Sequence, residues 1–247
     1  MRLDDFVRHT GDAERTLTVV NRTEHDAVQE MLESLFADQP VRIEEATRED
    51  ADSNLVVLSD GEEVLGVSTM ESVRDTVLLV NSDLYITGTR DVDEVATPTV
   101  LAGLDELTFS VRGYPDSNRE KLLLVEMSRH IEATARQLDD GVLHTGFQHL
   151  SRMEDERGTR RVYERLASSD VDVHLYGVPD YAPEIDVHVH GHDDEEIRRS
   201  WVVALEGAST AAALLAVETA RNEWNGFWTY DADRVSSVGS HLRETYW

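Results

Sequence analysis

Trp201-Val202-Val203-Ala204-Leu205-Glu206-Gly207 and the run Ala211-Ala212-Ala213-Leu214-Leu215-Ala216-Val217 decide how this chain is read. Two apolar segments flank a glycine, which is the pattern of a β-hairpin. The alanine run taken alone also suits a helix. A hairpin here makes the neighbouring strand signals parts of one antiparallel sheet. Those signals are Val142 to Gln148, the alternating Val171, Val173 and Leu175, the alternating Ile185, Val187 and Val189, and Phe227 to Tyr230. Helices are expected over Thr159 to Ala167 and from Asp231 or Asp233 to about Arg243.

The strongest helix signal lies upstream. Ser117 and Glu120 form a capping box, and Leu124, Met127, Ile131, Ala135 and Leu138 recur at helical spacing before Asp139-Asp140-Gly141. Earlier still, Leu17, Val19 and Val20 mark a strand that leads into a helix capped by Thr23, with Ala27, Val28, Met31, Leu32, Leu35 and Phe36 on one face. Leu55 to Ser59 and Val64 to Ser68 form a hairpin across Asp60-Gly61. A short helix is expected from Ser68 or Thr69 through Val80, and another near 97–106 with Pro98 at its first position. Thr108 to Val111 reads as a strand before the turn Arg112-Gly113-Tyr114-Pro115. The fold class is therefore α+β, with mixed, mainly antiparallel sheets flanked by helices. Sensory folds of the GAF and PAS type share that architecture, as do many others. The helix of 117–138 reads as the junction between an N-terminal α/β extension (1–116) and a second unit (117–247).

Composition narrows the function. The chain has 247 residues, 23 Lys plus Arg against 50 Asp plus Glu, a net charge of −27, and Lys121 as its one lysine. At low salt such a surface repels itself, and it stays hydrated where salt screens charge. A salt-adapted organism is the natural source. The same balance argues against nucleic acid, which needs clustered cations. The densest cationic stretch, Arg157 to Arg165, is interleaved with Glu156 and Glu164 and reads as a solvated helix face. With no cysteine, disulfides, thiolate metal sites and Cys nucleophiles are excluded. No apolar run reaches the roughly eighteen residues that span a bilayer. Met1-Arg2-Leu3-Asp4-Asp5 carries acids where a signal peptide has a basic region, so the expected location is the cytoplasm.

Two constellations stand out. His188, His190 and His192 alternate and so share one face of a strand, a spacing that suits zinc, copper, nickel or iron. His174 joins them if its strand pairs with theirs. The plainer reading is a polar outer face with Val187 and Val189 turned inward. Separately, Trp224, Phe227, Trp228 and Tyr230 cluster beside Asn225-Gly226, with Trp201 on the earlier strand. They are either core or an aromatic-lined ligand or interaction patch. Phosphate cradles, the nucleophile elbow and the H-E-x-x-H zinc motif are absent.

Glu120-Lys121-Leu122-Leu123-Leu124-Val125 through Ile131-Glu132, Gly146-Phe147-Gln148, the helix with Arg161, Tyr163 and Leu166, Asp172 to Gly177, Trp201 to Gly207 and Trp228-Thr229-Tyr230-Asp231 together resemble the DICT sensory domain, over roughly 117–247. The first 116 residues, with Leu79-Val80-Asn81-Ser82-Asp83-Leu84-Tyr85 and Arg112-Gly113-Tyr114-Pro115, resemble the extension of salt-loving archaeal members. The resemblance implies a sensory role without a known ligand; with no cyclase, kinase, receiver or helix-turn-helix segment and no catalytic motif, the expectation is a stand-alone sensory or signalling module with no catalytic activity and no cofactor. It would bind a protein partner or a small-molecule ligand, and neither nucleic acid nor membrane. The alternative is a metal-dependent enzyme built on His188, His190 and His192.

Overall fold

The computed structural model describes residues 2–10, 14–82, 96–112, 120–155 and 157–247. The expected turn at Gly113-Tyr114-Pro115, the Ser117 cap and the stretch Asp83-Leu84-Tyr85 lie outside them.

Two sheets form. The smaller contains β1 (Arg15–Val20), β2 (Val41–Ala46), β3 (Leu55–Asp60) and β4 (Glu63–Thr69) in the order β2-β1-β3-β4. The larger contains β5 (Phe109–Arg112), β6 (Val142–His149), β7 (Asp172–Val178), β8 (His188–Gly191), β9 (Ser200–Glu206), β10 (Ala211–Ala220) and β11 (Glu223–Thr229) in the order β5-β11-β10-β9-β6-β7-β8. Among the described strands, β1/β2, β6/β7 and β7/β8 pair in parallel and the other pairs are antiparallel. The α+β reading with mainly antiparallel sheets holds.

The hairpin is real, with Ala211 opposite Glu206 and Val217 opposite Ser200. The alanine run is strand because both of its faces are buried. Ala212, Leu214 and Ala216 enter the main core, and Ala213, Leu215 and Val217 enter a second cluster on the opposite face. Packing on two sides overrides the helical preference of alanine. The first face receives α5 (Glu120–Arg136), which also packs on α3 (Met70–Ser82) and α7 (Arg157–Leu166). The second receives α9 (Ala232–Tyr246) and α1 (Leu3–Arg8). Asp231 caps α9 by accepting from the Arg234 amide. On α5, Leu124, Met127, Ile131 and Ala135 are buried as their spacing requires.

Several local expectations change. His25, not Thr23, caps α2 (Asp26–Phe36), its Nδ1 accepting from the Ala27 amide at 3.2 Å. Thr23 is occupied with Asn54, whose side chain accepts from its amide and donates to its hydroxyl. The short helix α4 spans only Thr99–Ala102, with Pro98 at its N-cap. Strand β8 is shorter than its alternation predicts and excludes Ile185 and Val187.

Candidate functional site

Parallel pairing of β6, β7 and β8 aligns His144 with His174, His174 with His188, and Tyr176 with His190. These side chains share one sheet face, where the end of α9 lies over His144, His174, Tyr176 and His190 and leaves His188 exposed at the edge. His174 Nδ1 is 3.0 Å from His190 Nε2, and the two ring planes are 15° apart. His188 lies almost parallel to His174, with ring centroids 4.6 Å apart. The indole of Trp247 closes the layer, 4.6 Å from the His174 ring and within 2° of the His190 plane. It donates from Nε1 to the Tyr176 hydroxyl at 2.6 Å.

His144 is fully buried at the inner end of the layer. Its Nδ1 is 2.9 Å from the Tyr176 hydroxyl. Its Nε2 meets Glu206 Oε1 at 3.2 Å and Arg243 Nη1 at 3.1 Å, and that Arg–Glu pair is itself 2.5 Å apart. The ring is thus held between a phenol and an ion pair. Burial, then the neighbouring histidines, lowers the His174 pKa to about 4 and also lowers that of His190. Burial pushes the Tyr176 phenol up to about 12. At neutral pH the His174 ring is therefore uncharged, and His190 is biased the same way.

A second anchor sits at the end of α8 (Glu195–Arg199). Glu196 accepts from the Leu3 amide at 2.7 Å and from the Tyr246 hydroxyl at 2.6 Å, and it faces His241 Nε2 at 2.9 Å. Burial opposes its ionisation, but these hydrogen bonds outweigh burial and hold its pKa at about 2. His192 contacts the Tyr246 carbonyl at 2.9 Å instead of joining the stack. The face expected to point outward is therefore partly covered, with His190 and His192 half-buried and His188 exposed at its edge, while Val189, expected inside, is 44% exposed. Among the described residues, no three His, Asp or Glu side chains gather as metal ligands.

The five aromatics do not share one surface. Trp224 and Trp228 enter the main core, where Trp228 stacks on Phe109 at 4.8 Å and donates to the Ala102 carbonyl. Phe227 points to the opposite face, under the Arg234 guanidinium. Tyr230 and Trp201 are half-buried at the core margin, Tyr230 edge-on to His130.

On the α5 side of β6 lies a buried polar network. Arg129 and Glu132 pair at 2.7 Å, Tyr163 donates to Glu132 at 2.8 Å and lies 3.0 Å from the Thr145 hydroxyl, and Arg129 donates to Thr159 at 2.9 Å. Adjacent β6 residues, His144 and Thr145, thus face two different polar layers.

The sequence singled out His174, His188 and His190 but not His144, Tyr176, Glu206, Arg243 or Trp247. The available signal was a histidine inside the otherwise apolar opening of β6. Nothing in the sequence says which helix covers that face.

Residues 99–219, from α4 into β10, match the family model of DICT, the sensory domain in diguanylate cyclases and two-component systems. The resemblance read over roughly 117–247 stands where it overlaps this match, at 117–219; the match also takes in 99–116, which the sequence reading places in the extension. No curated protein matches the chain. A crystal structure of polyphosphate kinase from Porphyromonas gingivalis aligns with 98% of this chain and 47% of its own, at 9% identity and a TM-score of 0.37. The chain spans about half the length of that protein, and a likeness at this level carries no argument. No described helix is long and apolar enough to cross a membrane.

Proposed function

We propose, with the DICT match over residues 99–219 as the premise, that this chain is a sensory module that binds a ligand or a signalling partner and catalyses no reaction of its own. The observation that carries the reading is the layer of stacked rings closed by the molecule's own α9 and Trp247. A cover that is part of the chain gives a stimulus something to move, and a response needs two states that differ in their contacts. A metal-dependent enzyme on His188, His190 and His192 gains no support, because His192 is turned to the Tyr246 carbonyl. The net charge of −27 supports a cytoplasmic role in a salt-adapted cell and speaks against direct binding to nucleic acid.

The test pairs two measurements in molar salt. Masses of the purified chain under native and denaturing conditions report a retained ligand. Capture from lysate with the wild-type chain and with Trp247→Ala reports a partner that depends on the cover. The expected result is a retained ligand, or a partner whose recovery changes several-fold between the two baits. An empty chain together with identical capture by both baits overturns the reading.

A further inference from the structure

Six of the ten histidines, His144, His174, His188, His190, His192 and His241, lie under or on α9. They divide by partner, with His192 on the Tyr246 carbonyl. His144 and His241 face carboxylates, Glu206 and Glu196. His174, His188 and His190 face mainly one another and the indole of Trp247.

We propose that His174, His188 and His190 form a proton-operated latch, which frees the Trp247 end of α9 on acidification while the helix stays pinned at His241.

The 3.0 Å bridge between His174 and His190 explains how the latch opens. One ring donates and the other accepts. A first proton can occupy a nitrogen outside the bridge and leave it intact. A second turns the accepting nitrogen into another donor, so two N–H groups oppose each other and two cations lie side by side. His188, stacked on His174, adds to the repulsion.

The surrounding groups decide the sign. From β6 comes His144, from β7 Asp172 and Tyr176, from β8 His192, and from β9 Glu206. From α9 come His241, Arg243 and Tyr246, and from the α8 region Asp194 and Glu196. Arg2 of the N-terminal segment reaches Glu196 at 3.8 Å. Glu206 is already engaged by Arg243, and Glu196 by His241 and Tyr246. Asp172 and the Tyr246 carbonyl favour charge on His174 and His190 respectively, but burial and the neighbouring imidazoles prevail. Stacking of a cationic ring on the indole opposes opening only weakly at an exposed site, and Trp247 is 61% exposed.

The proposal deepens the sensory reading by naming the proton as the stimulus. For His174 alone, moving from a closed-state pKa of about 4 to the ordinary 6.5 bounds the bias toward the open state at about 30-fold at pH 5. Solvent access to the stack reduces this to on the order of tenfold.

Hydrogen exchange of the full chain in molar salt tests it at pH 7.5 and 5.0, after correction for intrinsic rates. Exchange over 244–247 should accelerate about tenfold at pH 5 while 232–241 keeps its protection, and a His174→Gln, His188→Gln, His190→Gln variant should show no such change. If the triple variant does not fold, His188→Gln replaces it, and its release should move to lower pH. A tip equally protected at both pH values, a helix that loosens as a whole, or a variant that responds like wild type overturns the latch. Any of these leaves the sensory reading to the capture experiment.

Discussion

Replacing Glu132 by alanine should be among the most damaging single changes in the chain. Its side chain is 3% exposed, and it joins Arg129 at 2.7 Å and Tyr163 at 2.8 Å. Removing the carboxylate takes from the buried Arg129 guanidinium the ion pair it makes with Glu132 and from the Tyr163 hydroxyl its acceptor. Breaking one side of a buried pair costs about 3–5 kcal/mol, because the remaining charge keeps its desolvation penalty. For a chain of this size about 1 kcal/mol corresponds to roughly 2–4 °C in Tm, so the loss is on the order of 10 °C. Tyr163→Phe removes one hydroxyl from the same network and should cost about 1–3 kcal/mol. The double variant Arg129→Met with Glu132→Leu should recover most of the loss, since apolar replacement of a buried pair is often neutral. Urea denaturation at fixed molar salt, followed by circular dichroism, measures all three. A Glu132→Ala loss below about 1 kcal/mol refutes the reasoning, because that is the range of a solvated pair.

Three further outcomes can be checked by the same melts. The Glu196 carboxylate has a folded pKa of about 2 against an ordinary 4.5, so its contribution is present above pH 4.5 and is lost as pH falls toward 2. After allowance for solvent screening the loss is about 1–2 kcal/mol, and Glu196→Gln should flatten that limb of the stability profile; an unchanged limb counts against it. Gly239→Ala would place a Cβ 1.8 Å from Glu206 Oε1, forcing that carboxylate off Arg243 and His144. A cost of about 1–3 kcal/mol is expected, and a neutral result would mean that Glu206 has room to move. Raising salt from 0.1 M to 1 M shortens the screening length from about 10 Å to about 3 Å. With a net charge of −27 the Tm should climb by several degrees, and a flat or falling Tm would show that self-repulsion is not a major term.

Much of this architecture was legible because local and tertiary signals agree. Leu124, Met127, Ile131 and Ala135 announce the buried face of α5, and Leu55 to Ser68 announces a hairpin. Where burial is one-sided or polar, the signal fades. Strand β2, Val41-Arg42-Ile43-Glu44-Glu45-Ala46, gives no apolar run because most of its side chains are only partly buried or exposed. Parity alone separates Phe227 from Trp224 and Trp228, since residues an odd number apart on a strand face opposite ways. Proximity in sequence suggested one aromatic patch where the pleat makes two. The histidine layer was half legible: His188 and His190 were placed on one face, and His174 beside them. His192 leaves that face because the strand ends at Gly191. His144 and the α9 cover belong to tertiary structure that no periodicity encodes.

The order β5-β11-β10 has a consequence for how this unit can be inherited. Strand β11 lies between two strands of the DICT match yet falls outside residues 99–219. Phe109 and the Ala102 carbonyl meet Trp228, the Glu106 amide bonds the Trp228 carbonyl, and the Glu106 carboxylate reaches Arg234. Cut at the edges of the match, the sheet would lack an interior strand and leave unpaired rows of amides along β5 and β10. A graft onto a different output protein must therefore carry the stretch from α4 through β11 together. Recombination between relatives should tolerate crossovers in the loops around β4 far better than any between β10 and β11.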